Sequence, residues 1–315
     1  MTNHISLPKA VLDSKDSYYL IKTKNKILIG ILEALLFFAV FEGCGMVSSV
    51  GAGIIGGLYN AICLGNALSI REMINTEWYM ATELICRSTH ILLGLLLCVF
   101  FQKRKPASMG FTRKKAIPQY LIGLAAGFII FSAAVLIAVA TGAATIEVNH
   151  EPFSTIVYIG MIAGWVFQGM AEEVLCRGYF LVSLQRRLSV PASVIISSLA
   201  FAAIHLMNPG MTAFAFVNLT LFGIFASVVF FRTGNIWLIG AIHSIWNFVQ
   251  GNFYGINVSG NVTNATILKT VFVPAKEFIN GGDFGLEGGL AVSVVLIVGT
   301  LLVMFCPPLK KAKNS

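Results

Sequence analysis

Eight apolar segments, each close to the length needed to cross a bilayer, run through this chain of 315 residues. A membrane-spanning helix needs about 20 apolar residues, at about 1.5 Å of rise per residue. The segments lie at 27–48, 82–101, 118–141, 155–181, 191–208, 212–231, 235–251 and 287–306. This pattern predicts an all-α, polytopic membrane helix bundle with about eight transmembrane helices.

The composition excludes the classes of protein that fold in water. Hydrophobic residues make up 57% of the chain and charged residues 11%, whereas a soluble domain carries roughly 25% charged residues. Such a chain cannot cover itself with polar side chains. It is therefore not a soluble enzyme, a disordered protein or a fibrous repeat. Its net charge of +8 does not indicate nucleic acid, because membrane proteins concentrate Lys and Arg in cytoplasmic loops.

The basic residues lie in the turns between the apolar segments, and this placement predicts an orientation. They are Lys22, Lys24, Lys26, Lys103, Arg104, Lys105, Arg113, Lys114, Lys115, Arg186, Arg187, Lys310, Lys311 and Lys313. They form four clusters, at 22–26, 103–115, 186–187 and 310–313. With eight spans, all four clusters lie on the same side of the membrane. We therefore expect these turns and both termini to be cytoplasmic.

The stretch 49–70 is apolar but contains five glycines. Counting it as a ninth span would place the basic loop 103–115 outside, against the positive-inside bias. We expect a re-entrant or interfacial segment, or an extension of the first helix. The predicted organisation is a polar cytoplasmic N-terminus (1–26), N-terminal membrane helices (27–154), a central helical region (155–251), an external loop (252–286), and a last helix with a basic tail (287–315).

The central region carries a few ionisable residues in otherwise apolar sequence. They are Glu172, Glu173, Arg177, His205 and His243. A charged side chain at bilayer depth costs at least about 2.5–3.5 kcal/mol, and such residues usually face a bundle interior or a wet cavity. Their concentration within about one hundred residues predicts a shared functional site.

Helix geometry allows these residues to meet. Glu172 lies fourteen residues before Arg186, and His205 lies fourteen residues after Pro191. Both should stand roughly 21 Å from the same helical hairpin. His243 lies about 12 Å into its own segment from that side, so a modest tilt would bring it level. We expect the three segments to converge on one cavity.

The local spacings place partners on common helix faces. Residues four apart are neighbours on a helix surface, and three such pairs occur: Glu173 with Arg177, Phe201 with His205, and His243 with Asn247. Glu172 points about 100° away from Glu173, so the two carboxylates should have different roles. A purely structural ion pair between Glu173 and Arg177 stays an equal alternative.

In their order, these three motifs resemble the CPBP family, which comprises the type 2 CAAX-prenyl-protease and bacteriocin-processing (Abi) proteins. The resemblance covers about 155–251. It implies an eight-helix bundle around a conical cavity open toward the cytosol, and an intramembrane endopeptidase that cleaves a membrane-associated protein or small peptide. It also suggests a bacterial cell membrane as the location. The sequence itself shows no charged face suited to a nucleic-acid partner.

By this resemblance, the motif residues carry over one by one. Glu172, with His205, corresponds to the pair that activates the attacking water. His243 and Asn247 correspond to the pair that stabilises the oxyanion. Glu173 and Arg177 correspond to the pair that orders the fourth helix, and Phe201 supports the site.

Whether a metal takes part stays open at this point. Glu172, His205 and His243 form a possible zinc ligand set with a fourth position for water. The chain lacks the H-E-x-x-H motif of soluble zinc proteases, and Asn247 is a poor zinc ligand but a good oxyanion donor. A metal-free mechanism is therefore slightly favoured.

Two other classes of function also place polar residues inside a membrane bundle. A proton-coupled transporter would carry a second set of polar residues in a repeated half of the chain, and the sequence shows no such repeat. A non-catalytic membrane protein for bacteriocin immunity would carry the motifs without needing them for activity.

Overall fold

A computed structural model describes residues 7–16 and 18–305. Within that part, eight main helices form the bundle. They are α1 (Lys26–Cys63), α2 (Glu77–Phe101), α3 (Ala116–Ala140), α4 (Thr155–Glu173, continued by the π-helical Val174–Leu181 and by Val182–Gln185), α5 (Val190–Ala203), α6 (Ala213–Thr233), α7 (Ile236–Phe248, continued by the π-helical Val249–Phe253) and α8 (Leu290–Phe305).

The all-α polytopic bundle is confirmed. By length and apolar composition, α1, α2, α3 and α6 can each cross a membrane, and α5 and α8 are shorter apolar helices. Short helices and two strands lie before α1 and in the connections between the main helices. They are Lys9–Leu12, Asp13–Asp16, Ile70–Ile74, Pro106–Met109, Pro274–Lys276, Glu277–Asn280, Gly282–Phe284 and Leu286–Gly288, with β1 (Ala144–Val148) and β2 (Leu268–Phe272).

The first helix is much longer than the predicted span 27–48. Asn25 caps its N-terminus by accepting hydrogen bonds from the backbone of Ile27 and Leu28, and the helix continues unbroken to Cys63. Residues 49–63 thus extend the first helix and do not re-enter the membrane. At about 1.5 Å per residue, its 38 residues span about 57 Å, well beyond the roughly 30 Å of a hydrocarbon core.

Because successive helices run antiparallel, the connections gather at two ends. We call one the basic end, formed by the connections 102–115, 186–189 and 234–235. The other is the hairpin end, formed by the connections 64–76, 141–154, 204–212 and 254–289. At the hairpin end β1 pairs antiparallel with β2, with Ala144 opposite Phe272.

The basic end is closed by backbone contacts of its arginines. Arg186 donates hydrogen bonds to the carbonyl oxygens of Ser14 and Tyr18, which ties the N-terminal segment to the end of α4. Arg104 is buried and donates to the Gly178 carbonyl at 2.8 Å. Burial lowers the pKa of Arg104 to about 10, so it stays charged at neutral pH. The predicted tail cluster Lys310, Lys311 and Lys313 lies outside the described residues.

Two glycines one turn apart let α3 and α7 approach closely. A Cβ at Gly123 would lie 2.4 Å from the Leu238 carbonyl oxygen, and one at Gly127 would lie 2.4 Å from Ile245 Cγ2. Small residues at this spacing are typical of membrane helix interfaces, because packing rather than water drives their association. This contact supports α7, which carries two of the predicted site residues.

Replacing Gly127 by Ala should destabilise the bundle. The new methyl group would lie 2.4 Å from Ile245 Cγ2 and 2.6 Å from the Ile242 carbonyl oxygen, and overpacking costs about 1–3 kcal/mol. We expect the free energy of unfolding, measured by SDS titration in mixed micelles, to fall by that amount.

Gly43→Ala is the matched control. Nothing lies within 4 Å of a Cβ at Gly43, and Ala is favoured over Gly inside a helix by roughly 0.5–1 kcal/mol. Its stability should be unchanged or slightly higher. An equal loss in both variants would contradict the proposed close contact.

Candidate active site

Two helices build most of the polar site, and one glycine lets them approach. Gly169 of α4 packs directly on Ser244 of α7, whose backbone nitrogen would lie 2.5 Å from an added Cβ. The Ser244 hydroxyl donates to the Val166 carbonyl at 3.1 Å. This contact places the acidic turn of α4 beside His243 and Asn247 of α7.

Glu173 and Arg177 form a fully buried ion pair. The Arg177 Nη1 lies 3.1 Å from Glu173 Oε1, and both side chains have 0% exposure. The pair crosses the point at which α4 changes from α-helix to π-helix. The Arg177 guanidinium also stacks on Phe201 of α5, 4.6 Å from the ring centroid. The predicted ion pair of Glu173 and Arg177 is present, and through Phe201 it also contacts α5.

The same Glu173 oxygen contacts α7. His243 Nδ1 lies 2.9 Å from Glu173 Oε1, so this oxygen accepts from both Arg177 and His243. A carboxylate oxygen accepts and does not donate when ionised, which assigns the proton to Nδ1 and directs Nε2 elsewhere. Sequence spacing predicted the pair within α4 but not this bond between helices.

Glu172 faces the other side of the imidazole. Its Oε2 lies 3.8 Å from His243 Nε2, and this buried oxygen has no hydrogen-bond partner among the described residues. Its Oε1 accepts a 2.6 Å hydrogen bond from Gln168 Nε2. One carboxylate oxygen is thereby held in place, while the other remains able to accept a proton.

Gln168 is a site residue that the sequence reasoning missed. Besides holding Glu172, its Oε1 accepts a 2.7 Å hydrogen bond from Asn247 Nδ2. One amide thus fixes the acid of α4 and the carboxamide of α7 together. The available signal was its position four residues before Glu172, on the same helix face.

His205 reaches the site from a turn and not from a helix. The predicted span 191–208 is too long, because α5 ends at Ala203 and His205 lies in the turn that follows. Its Nδ1 lies 2.9 Å from the Phe201 carbonyl oxygen. Since a carbonyl only accepts, the proton belongs on Nδ1 and Nε2 of the neutral ring is left as an acceptor.

A cavity of about 560 Å³ joins these groups. Its lining includes Glu172, His205, His243 and Asn247, so the structure brings the four predicted polar residues to one space. Glu173 and Arg177 lie behind the wall, out of contact with solvent. Phe201 lines the cavity and packs against His205, with ring centroids 5.0 Å apart.

The segment 252–286, predicted as an external loop, folds back over the cavity. Val258, Ser259 and Asn261 line the cavity together with Glu287. The Glu287 carboxylate accepts hydrogen bonds from the Ser259 backbone at 2.8 Å and from Trp246 Nε1 at 3.1 Å. The loop is therefore anchored to α7 next to Asn247. The sequence analysis placed Glu287 at the start of the last predicted span, whereas it lies in the turn Leu286–Gly288 before α8, and no sequence pattern marked it as a site residue.

The side chains do not form a ready metal centre. Across residues 7–16 and 18–305, no group of three His, Cys, Asp or Glu side chains has a geometry that could hold a metal ion. The possible zinc set of Glu172, His205 and His243 is thus not assembled as three converging ligands.

Residues 153–249 match a family model described as Rce1-like, type II CAAX prenyl endopeptidase. The match covers α4 to α7, the helices that carry the motifs, and confirms the resemblance to the CPBP family of CAAX proteases. At family level it supports an intramembrane peptidase in an integral membrane protein. No curated protein matches the chain.

Removing Arg177 should strongly destabilise the bundle. Arg177→Met leaves the Glu173 carboxylate fully buried without its guanidinium, and breaking a buried pair in this way costs about 3–5 kcal/mol. We expect a fall of that size in the free energy of unfolding in detergent.

Arg87→Met is the matched control, because Arg87 and Glu83 form another i,i+4 pair, 3.4 Å apart. Those side chains are 30% and 36% exposed, and exposed pairs contribute about 0–1 kcal/mol. Similar losses in the two variants would show that burial of the Glu173 pair has no energetic consequence.

Proposed function

We propose that the protein is an intramembrane endopeptidase in which Glu172 activates a water molecule that attacks a peptide carbonyl. The observation that carries the proposal is the free Oε2 of Glu172, which faces His243 Nε2 across 3.8 Å inside the cavity. That separation is too long for a direct hydrogen bond, so neither atom satisfies the other, and a water molecule to one side of the line that joins them can contact both.

Glu172 is the general base in this proposal. Its Oε2 accepts a proton as the water oxygen bonds to the carbonyl carbon, and the same proton then passes to the leaving amine nitrogen when the C–N bond breaks. His205 assists, because its Nε2 is the free acceptor of a ring held by the Phe201 carbonyl. The Gln168 bond keeps the carboxylate from rotating away.

His243 and Asn247 stabilise the oxyanion. One N–H of the Asn247 amide is used by Gln168, and the amide has a second N–H that can donate. His243, when protonated, donates from Nε2 while Glu173 holds Nδ1. Preorganised donors of this kind act most strongly where water is excluded, and the side chains of His243 and Glu172 are only 6% and 12% exposed.

Glu173 and Arg177 act by positioning. Their shared oxygen orients the imidazole of His243 from behind, as the partners of catalytic and metal-bound histidines do. The structural and functional interpretations of this pair therefore coincide: the same contact joins two helices and selects the tautomer of His243.

The proposed reaction needs no metal. The proposed substrate is a membrane-associated peptide or protein in a bacterial membrane. The residues in place supply a base, an acceptor and two donors, and the zinc set is not assembled. A transporter and an immunity protein receive no support from the family match or from the structure.

Glu172→Gln should abolish cleavage while leaving the fold intact. The amide keeps the size of the side chain but cannot take a proton, and loss of a general base lowers rates by about 10²- to 10⁴-fold. The measurement is kcat on a membrane peptide library in liposomes, with and without a chelator, and we expect no effect of the chelator on the wild type.

Glu147→Gln is the control, since Glu147 lies on β1 outside the cavity and its loss should leave kcat unchanged. Cleavage that survives Glu172→Gln would contradict the proposed base. Inactivation by the chelator, reversed by added zinc, would contradict the metal-free mechanism.

Asn247→Ala should lower kcat more than it raises KM. Loss of one oxyanion donor costs about 10²- to 10³-fold in kcat, because the bond is made chiefly in the transition state. Steady-state kinetics of purified protein would separate the two constants, with the thermal midpoint as a check on folding. A change confined to KM would assign Asn247 to substrate binding.

A further inference from the structure

His205 lies in a turn, so its position depends on what holds that turn. The turn follows α5, which ends at Ala203, and its Leu206 and Met207 are 53% and 95% exposed. Their side chains therefore do little to tie the turn to the bundle. A residue that assists the base must stay within hydrogen-bond reach of the proton that is transferred. A contact that fixes this turn thus bears directly on the proposed chemistry.

Asn208 makes such a contact. Its backbone N–H donates to the His205 carbonyl at 3.0 Å, and its Nδ2 donates to the Ser259 carbonyl at 3.0 Å. Beside it, the backbones of Pro209 and Gly260 touch, because the Pro209 carbonyl leaves no room for a Cβ at Gly260. The turn that carries His205 therefore lies directly against the chain around Ser259.

Ser259 and Gly260 are the central residues of a two-residue turn. Val258 and Asn261 bridge across it, and each N–H donates to the opposite carbonyl at 2.9 Å. Both central residues have positive φ, 46° at Ser259 and 85° at Gly260, the combination that a type I′ turn requires. Glycine adopts this conformation freely, whereas a serine there is strained. Such a residue persists only where its surroundings hold it.

The Glu287 carboxylate holds Ser259 in that conformation. Its Oε2 accepts from the Ser259 N–H at 2.8 Å and from the Ser259 hydroxyl at 2.7 Å. The same oxygen accepts from Gln250 Nε2 at 3.3 Å, and Oε1 accepts from Trp246 Nε1 at 3.1 Å. An ionised carboxylate only accepts, and every one of these partners is a donor. Hydrogen bonds to a charged acceptor are roughly twice as strong as neutral ones.

These contacts form one continuous path to the site. It runs from the Glu287 carboxylate to Ser259, and from the Ser259 carbonyl to Asn208. Asn208 then bonds to the backbone of His205. The other Glu287 oxygen bonds to α7 one residue before Asn247. Glu287 thus ties the turn that carries His205 to the helix that carries Asn247.

We propose that the turn 258–261 positions His205 for the reaction, with Asn208 as its link and Glu287 as its anchor. These residues act through His205 and take no proton themselves. The effect on catalysis rests on the proposed function. The position of the imidazole does not, because it is a property of the folded protein.

Asn208→Asp removes the link, since a carboxylate has the size of the carboxamide but cannot donate to the Ser259 carbonyl. We expect kcat for peptide cleavage in liposomes to fall about 10- to 100-fold with KM unchanged, because small displacements of a reacting group have effects of this size. A change confined to KM would assign Asn208 to substrate binding and contradict the proposal.

Asn149→Asp is the matched control. Asn149 is also half-buried, and its Nδ2 donates to the Thr266 carbonyl of the same loop at 2.9 Å. It lies outside the cavity lining and does not contact the turn that carries His205. Its kcat should equal that of the wild type.

The tautomer of His205 is a readout that general loosening of the loop would not change. The Phe201 carbonyl holds the proton on Nδ1, and the bond made by one ring nitrogen selects the tautomer. Nitrogen NMR of histidine-labelled protein in micelles, at a pH where the ring is neutral, reports it, with the signal assigned by its loss in His205→Gln. We expect the Nδ1–H form in the wild type and in Asn149→Asp, and a mixture of both tautomers in Asn208→Asp.

Glu287→Gln tests the anchor. The amide keeps the size of the side chain, but its NH₂ group must face a donor, either Ser259 or Trp246, so bonds are lost on one side. We expect the same mixture of His205 tautomers and a lower kcat. Ser259→Ala removes only the hydroxyl bond to Glu287; it replaces Glu287→Gln if that variant does not fold, with a smaller shift in the same direction.

A single Nδ1–H tautomer in both Asn208→Asp and the anchor variant would overturn the proposal, whatever the change in kcat. The NMR signal does not depend on catalysis. If the wild type cleaves no peptide, the proposed function fails, and the comparison of tautomers alone decides whether the turn 258–261 positions His205.

Discussion

The site depends on one buried carboxylate oxygen. Glu173 Oε1 accepts from Arg177 on its own helix and from His243 on α7, at 3.1 and 2.9 Å, with no exposure to solvent. An ionised carboxylate in such surroundings is tolerated only when it is paired and hydrogen-bonded. This contact therefore joins two helices, and it also fixes the direction in which the imidazole of His243 can react.

Around that contact, each reactive group is held by a second polar group that does not itself react. Gln168 holds both Glu172 and Asn247, the Phe201 carbonyl holds His205, and Glu287 anchors the loop that covers the cavity. Holding one polar atom of each side chain leaves the other directed at the cavity. Such preorganisation is what a hydrolytic site needs, because little reorientation then remains for the transition state.

The motif residues were predictable because charge inside a membrane is rare and costly. Glu172, His205 and His243 stood out for that reason, and helix periodicity paired Glu173 with Arg177. Gln168 and Glu287 were not found, since a neutral amide and an acid at the end of a predicted span carry no comparable signal in sequence. The end of α5 before His205 was also missed, because the apolar stretch continues past the last helical residue and hydropathy does not mark that boundary.

By itself, the sequence determined that the chain is a membrane helix bundle, which residues carry charge within it, and which turns are basic. These properties follow from amino-acid composition and from the period of a helix, and neither depends on contacts between residues distant in sequence. Only the tertiary structure decided which oxygen each histidine nitrogen meets, that α1 continues to Cys63, and that the segment 252–286 lines the cavity. Those outcomes depend on how helices distant in sequence approach one another, and close contacts such as Gly169 against Ser244 set that approach.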